Sequence, residues 1–96
     1  MTAYWINTFT DISDEARLAR YIELAGPAMR DAGGRFLARG KPAYTFEDAS
    51  ELRTTLIEFD TVAAAVAAYR SPAYQAALRE LGEGARREIR IIESVG

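Results

Sequence analysis

The chain contains neither cysteine nor histidine. Without cysteine there can be no disulfide, no thiolate nucleophile and no Cys-zinc site. Without histidine there is no Ser-His-Asp triad, no proximal haem ligand and almost no route to a transition-metal site. Acid–base chemistry would fall to Tyr, Arg, Glu, Asp or Ser. Lysine occurs once, at Lys41, beside eleven arginines. Arginine favours planar, bidentate contacts with carboxylate or phosphate. The bias, with the many alanines, also fits a GC-rich coding sequence.

Other absences narrow the field further. No apolar run approaches the length of a membrane span, so no membrane association is expected. Met1-Thr2-Ala3-Tyr4-Trp5 enters a strand pattern at once. It lacks a basic stretch followed by an apolar one, so no signal peptide is read and a cytoplasmic location is expected. The net charge of −2 argues against a nucleic-acid partner. Gly33-Gly34 and Gly40 do not form a phosphate loop, which needs a Lys-Ser or Lys-Thr ending at a helix start. Glu47, Asp48 and Glu51 lack the spacing of a calcium loop and read as a solvated acidic segment. No metal and no cofactor is expected.

What is present is a contrast between strands and helices. In Trp5-Ile6, Phe36-Leu37, Leu56-Ile57 with Phe59, and Ile89 with Ile91-Ile92, apolar residues are adjacent. A sheet with one wet face should alternate apolar and polar residues. These strands therefore have apolar groups to bury on both sides. A chain of 96 residues makes a single domain, 1–96, and buries roughly 60–65% of its unfolded surface. Oligomerisation would add to that burial.

The elements follow from local signals. Residues 3–9 are aromatic and β-branched and predict a strand. Ser13 or Asp14 caps a helix with Asp14 and Glu15 in its first turn, as the helix dipole prefers. Leu18, Tyr21, Ile22, Ala25 and Met29 form its apolar stripe. Gly26-Pro27 predicts a bend within one helix, which ends near Ala32 at Gly33-Gly34. Residues 35–39 predict a second strand and 53–59 a third. Between them, residues 43–52 are polar and allow at most a short irregular strand. Asp60 or Thr61 caps an alanine-rich helix that Ser71-Pro72 restarts, with serine as cap and proline at the first helical position. Gly82 and Gly84 end it, and residues 87–95 predict the last strand.

The order βαββαβ is the ferredoxin-like arrangement, an α+β fold with an antiparallel four-stranded sheet and two helices on one face. Strands one and three become the central pair. Helices cover one side of such a sheet only. The other needs a partner, and a second copy of the chain is the simplest, giving a homodimer through the sheet face.

Certain segments resemble one family. They are Tyr4-Trp5-Ile6, Gly33 to Gly40, Ile57-Glu58-Phe59 and Tyr69-Arg70-Ser71-Pro72-Ala73-Tyr74-Gln75. Together they are similar to the family of domain of unknown function 1330, over nearly the whole chain. The resemblance implies the dimeric α+β barrel superfamily, in which ferredoxin-like sheets pair face to face. It implies no reaction. The sequence departs from the pattern at Asp60-Thr61, where a proline-serine helix entry is usual, and at Lys41-Pro42 after Gly40.

Two groups of residues could carry chemistry. Arg35 and Arg39 lie four apart on one strand, so regular pleating would point both to one face with Leu37. Glu58 sits between apolar neighbours on a central strand and should meet an arginine, Arg35 or Arg39 first. That pair could be structural, or it could anchor an anionic ligand. The aromatic set Trp5, Tyr21, Tyr69 and Tyr74 either packs the core or lines a cleft between sheet and helices. The ligand-binding candidates are therefore Arg35, Arg39, Glu58, Tyr21 and Tyr74. Three readings stand: a small-molecule-binding homodimer, a structural or interaction dimer without a ligand site, and a cofactor-free oxygenase or isomerase by analogy with the superfamily. A cavity beside Tyr21, Tyr74 and Arg35 favours the first over the second.

Overall fold

A computed structural model describes all 96 residues. The elements run β1 (Ala3–Ile12), α1 (Glu15–Asp31), β2 (Arg35–Gly40), β3 (Thr54–Phe59), α2 (Val62–Arg70), α3 (Pro72–Leu81) and β4 (Ala85–Glu93). The four strands form one antiparallel sheet in the order β2-β3-β1-β4. The central pair is β1 and β3, as the apolar content of those strands predicts.

The helices cover one face. Ala3, Trp5, Asn7 and Phe9 of β1 are buried beneath them, as are Thr55, Ile57 and Phe59 of β3. Trp5, Phe9, Phe59, Met29 and Tyr74 are the largest fully buried side chains. Burial of each large apolar side chain contributes roughly 1.5–3 kcal/mol. Leu18, Tyr21, Ala25 and Met29 supply the buried stripe of α1 at helical spacing.

Caps sit where the sequence puts them. The Asp14 side chain accepts a hydrogen bond from the Arg17 backbone N–H, and Thr61 accepts one from Ala64. Ser71 ends α2 and begins α3: its hydroxyl accepts from the Tyr74 N–H, and Pro72 opens the new helix. The second helical layer is thus two helices rather than one. In α1, Pro27 lies inside a single continuous helix. Residues 43–52 contain no strand; Glu47 and Asp48 take left-handed φ values of 54° and 60°.

One feature of register corrects the sequence reading. Arg35 pairs with Glu58 and Phe36 with Ile57, but Ala38 then pairs with Leu56 and Arg39 with Thr55. Leu37 is an extra residue in β2, a bulge that shifts the pleat by one. Arg35 and Arg39 therefore lie on opposite faces of the sheet, not on the same one.

The face away from the helices carries Tyr4 and Ile6 of β1, Leu56 of β3 and Ile92 of β4. Ile6 is paired with Leu56 and Tyr4 with Ile92. Ile92 is 56% exposed, and nothing within the chain covers this side. The adjacent apolar residues of the strands are divided between the helix-covered face and this one.

Candidate functional site

An apolar cleft opens between the helix-covered face of the sheet and α1. Trp5, Asn7 and Phe9 of β1 and Thr55 and Ile57 of β3 form its floor. Tyr21, Ile22, Ala25 and Met29 of α1 form one wall, and Tyr74 of α3 closes the inner end. Phe36, Arg39 and Arg53 stand at the β2 side. The free volume is about 40 Å³, and about 420 Å³ when the open mouth is counted. A single water needs roughly 10–15 Å³ on the first measure, so the enclosed part holds about two or three waters, and a ligand of ring size would extend into the open mouth.

The aromatic side chains form one connected group. Trp5 meets Tyr74 edge-on at 5.3 Å between ring centroids, and Tyr21 meets Tyr74 edge-on at 6.0 Å. Tyr69 lies against both Trp5 and Tyr74 but is partly exposed. Such geometry suits the ring quadrupoles.

At the inner end is a buried polar cluster. The Tyr21 and Tyr74 hydroxyls are 2.6 Å apart. Arg87, on β4, donates through Nη1 to Tyr21 at 2.7 Å and to Tyr74 at 3.0 Å. Its guanidinium carbon also lies 4.9 Å from the centre of the Tyr21 ring. No carboxylate lies within 4.0 Å of Arg87. Burial, and then the neighbouring Tyr74, holds the Tyr21 phenol well above its ordinary pKa, with Arg87 only partly opposing them. Tyr21 is therefore a neutral hydroxyl at physiological pH. Burial works against the Arg87 cation, but its contacts with the two phenol oxygens hold its pKa above the usual guanidinium value.

Asn7 is the second polar feature. It is 3% exposed, lies between Trp5 and Phe9 on the buried phase of β1, and lines the cleft. Its Oδ1 has no hydrogen-bond partner. An unsatisfied buried carbonyl costs about 1–3 kcal/mol, so in a folded protein it calls for an explanation.

The sheet divides the candidates of the sequence reading. Tyr21, Tyr74 and Arg39 line the cleft. Arg35 and Glu58 lie behind it, on the open face: Nε of Arg35 donates to Oε1 of Glu58 at 2.8 Å, and Nη2 donates to Asp60 at 3.0 Å. Glu58 thus meets an arginine, the first of the two expected. The hydrogen bonds to Glu58 and Asp60 raise the Arg35 pKa. The Arg35 side chain is 48% exposed, so the ion pair is a solvated one.

Asn7, Arg53 and Arg87 were not singled out by sequence. A signal did exist for two of them. Asn7 falls in phase with Trp5 and Phe9, and Arg87 in phase with Ile89 and Ile91, so each is a polar residue on the phase that faces the helices. Arg53 carries no such mark, because it lies just before β3.

The architecture is that of a ferredoxin-like α+β protein with a cleft between sheet and helices. The chain matches the model of the family described as domain of unknown function (DUF1330) over residues 2–95, and belongs to that family. No curated protein matches it. Among solved structures it is similar to a protein of unknown function from Rhodopseudomonas palustris, with a TM-score of 0.75 and 17% identity, covering 99% of this chain and 83% of that one. It is also similar to a dimeric ferredoxin-like protein of unknown function from Jannaschia, with a TM-score of 0.70 and 17% identity, over 98% and 100% of the two chains. A third is SnoaB, a cofactor-independent oxygenase from Streptomyces nogalater, with a TM-score of 0.69 and 13% identity, over 99% and 94%. At these identities the likeness is one of fold.

Proposed function

We propose that the protein is a cytoplasmic homodimer that binds a small molecule in the cleft between sheet and helices. The observation that carries this is Asn7: a buried amide whose Oδ1 is unpartnered and which lines an apolar cleft. Small-molecule sites are concave and largely apolar, with a few placed polar groups. Tyr21, Tyr74, Thr55, Arg39 and Arg53 supply the remaining polar groups of the lining, and Arg87 donates to the two tyrosine hydroxyls. Dimerisation through the open sheet face is supported by Tyr4, Ile6, Leu56 and Ile92 there, and by the dimeric description of the Jannaschia neighbour.

The test is native mass spectrometry of the freshly purified protein, joined to a fragment screen followed by NMR. Trp5 is the only tryptophan, so its indole N–H gives a single resonance at the cleft. A dimer mass and fragments that shift this resonance support the reading. A dimer in which no fragment moves it supports instead a structural dimer with no ligand site.

A second, catalytic reading is cofactor-free oxygenation or isomerisation. Likeness of fold to the oxygenase and the aromatic lining of the cleft favour it. The lining contains no Asp, Glu, His, Lys or Cys, and Tyr21 is neutral. A substrate would have to arrive already ionised or activated. Oxygen uptake with a ligand found by the screen tests it.

A further inference from the structure

The polar groups of the cleft select a class of ligand, on the reading that the cleft binds a small molecule. The charged lining is of one sign. Arg39 and Arg53 stand at the β2 side, and no acidic residue lines the cleft. Neither arginine has a carboxylate within 4.0 Å. Arg39 is instead stacked over Phe36, 5.1 Å from the ring centre. The bulge at Leu37 brings Arg39 to this face, opposite Thr55, and Arg53 lies two residues before Thr55, just ahead of β3. Two guanidiniums thus flank one apolar opening with no counter-charge. Arginine pairs recognise carboxylates by charge and by fork geometry.

The other end has a complementary need. Asn7 Oδ1 is an acceptor without a donor. The tyrosine pair has the reverse property. Two phenols carry two O–H protons, and the single contact between Tyr21 and Tyr74 consumes one. Arg87 donates to both oxygens and accepts nothing. One phenolic proton is left for an acceptor. A ligand hydroxyl satisfies both ends at once, giving its proton to Asn7 and accepting one from the tyrosine pair. Thr55 lies between Arg39 and Asn7 across the sheet, and Trp5, Phe36, Ile57 and Met29 line the cleft beside this row, which suits a flat apolar body.

We propose that the cleft binds a small hydroxylated monocarboxylate of single-ring size. Its carboxylate meets Arg39 and Arg53, and its hydroxyl sits between Asn7 and the Tyr21–Tyr74 pair.

The test compares three probes by titration of the Trp5 indole N–H. They are 4-hydroxybenzoate, benzoate, which lacks the hydroxyl, and 4-hydroxybenzyl alcohol, which lacks the charge. We expect 4-hydroxybenzoate to bind about ten-fold more tightly than either, the scale of one charge-assisted contact. In the double variant Arg39→Gln/Arg53→Gln the advantage over the alcohol should vanish while affinity for the alcohol is kept. These two residues are not buried, so the variant should fold, and its Tm checks this. Equal binding of alcohol and carboxylate, or an unchanged preference in the double variant, overturns the ligand class and leaves cleft binding standing. If no probe moves the Trp5 resonance, the ligand class and the cleft reading fall together.

Discussion

The Tyr21 and Tyr74 hydroxyls lie 2.6 Å apart, and one nitrogen of Arg87 donates to both. Three elements, α1, α3 and β4, are tied by three side chains where no carboxylate balances the arginine. Deleting either hydroxyl removes one acceptor of a half-buried cation. Tyr74→Phe should therefore lower stability by about 1.5–3 kcal/mol, the range for a hydrogen bond to a charged group. Urea melts of Tyr21→Phe, Tyr74→Phe and the double variant would measure this. Because the groups share one network, the double variant should cost less than the sum of the singles. Additive losses would show that the hydroxyls act independently.

The same cluster sets an alkaline limit. The Tyr21 proton is held more tightly in the folded chain than in the unfolded one, so its pKa is raised above 10.0. Below pH 10 both states keep the proton, and the contribution is constant. Above about pH 10 the unfolded state loses it first, and stability falls as pH rises. Urea midpoints between pH 10 and 11 should fall more steeply for the wild type than for Tyr21→Phe. Parallel curves would refute the assignment.

Much of this architecture is legible in the sequence, because periodicity and caps are local. Leu18, Tyr21, Ala25 and Met29 announce one buried helix face, and Ser71-Pro72 announces a helix restart. Adjacent apolar pairs such as Trp5-Ile6 announce a sheet with two apolar faces. The bulge at Leu37 is different in kind. It is a property of how β2 pairs with β3, and nothing local to Arg35 or Arg39 marks it. Four-residue spacing implies a shared face only along a regular strand. With the bulge, Arg39 joins the tyrosines while Arg35 and Glu58 go to the other side. Asn7 was readable as a polar residue in an apolar phase, but its missing partner is a matter of three dimensions.

The division of faces yields a paired test at adjacent residues. Ile57 is 2% exposed in the core, while Leu56 lies half-buried on the open face. Leu56→Lys should leave the protomer folded and weaken a dimer that buries roughly 1,200–2,000 Å² in total. Ile57→Lys puts a charge in the core and should prevent folding. Analytical ultracentrifugation with circular dichroism separates the two. A wild-type chain that stays monomeric at micromolar concentration would remove the proposed interface.

Glu58 offers a weaker lever than its place on a central strand implies. Arg35 is solvated on the open face, so the pair is screened by water and salt. Glu58→Gln should cause only a small loss in Tm at low salt, and the loss should fade at high salt. A large, salt-independent loss would mean that the partner protomer buries the pair, placing Arg35 and Glu58 within the dimer interface.

Gly33 and Gly34 are adjacent but should fail for different reasons. Gly33 takes a φ of 95° and has open space around it, so alanine there is strained without any clash. Gly34 has no such φ. A Cβ there would lie 2.9 Å from Ile57 Cγ2, from the Met29 carbonyl oxygen and from Phe59 Cζ. Gly34 also donates its N–H to that same oxygen at 2.8 Å, so the backbone cannot withdraw without breaking the link between α1 and β2. Overpacking of this kind typically costs about 1–3 kcal/mol, and left-handed strain at an alanine roughly 1–2 kcal/mol. Gly33→Asn should recover part of the loss of Gly33→Ala, since asparagine tolerates the left-handed region. Gly34→Asn should be worse than Gly34→Ala, since the added atoms enter the core. Thermal melts of the four variants decide the matter: rescue by asparagine at 34, or none at 33, would overturn this division of roles.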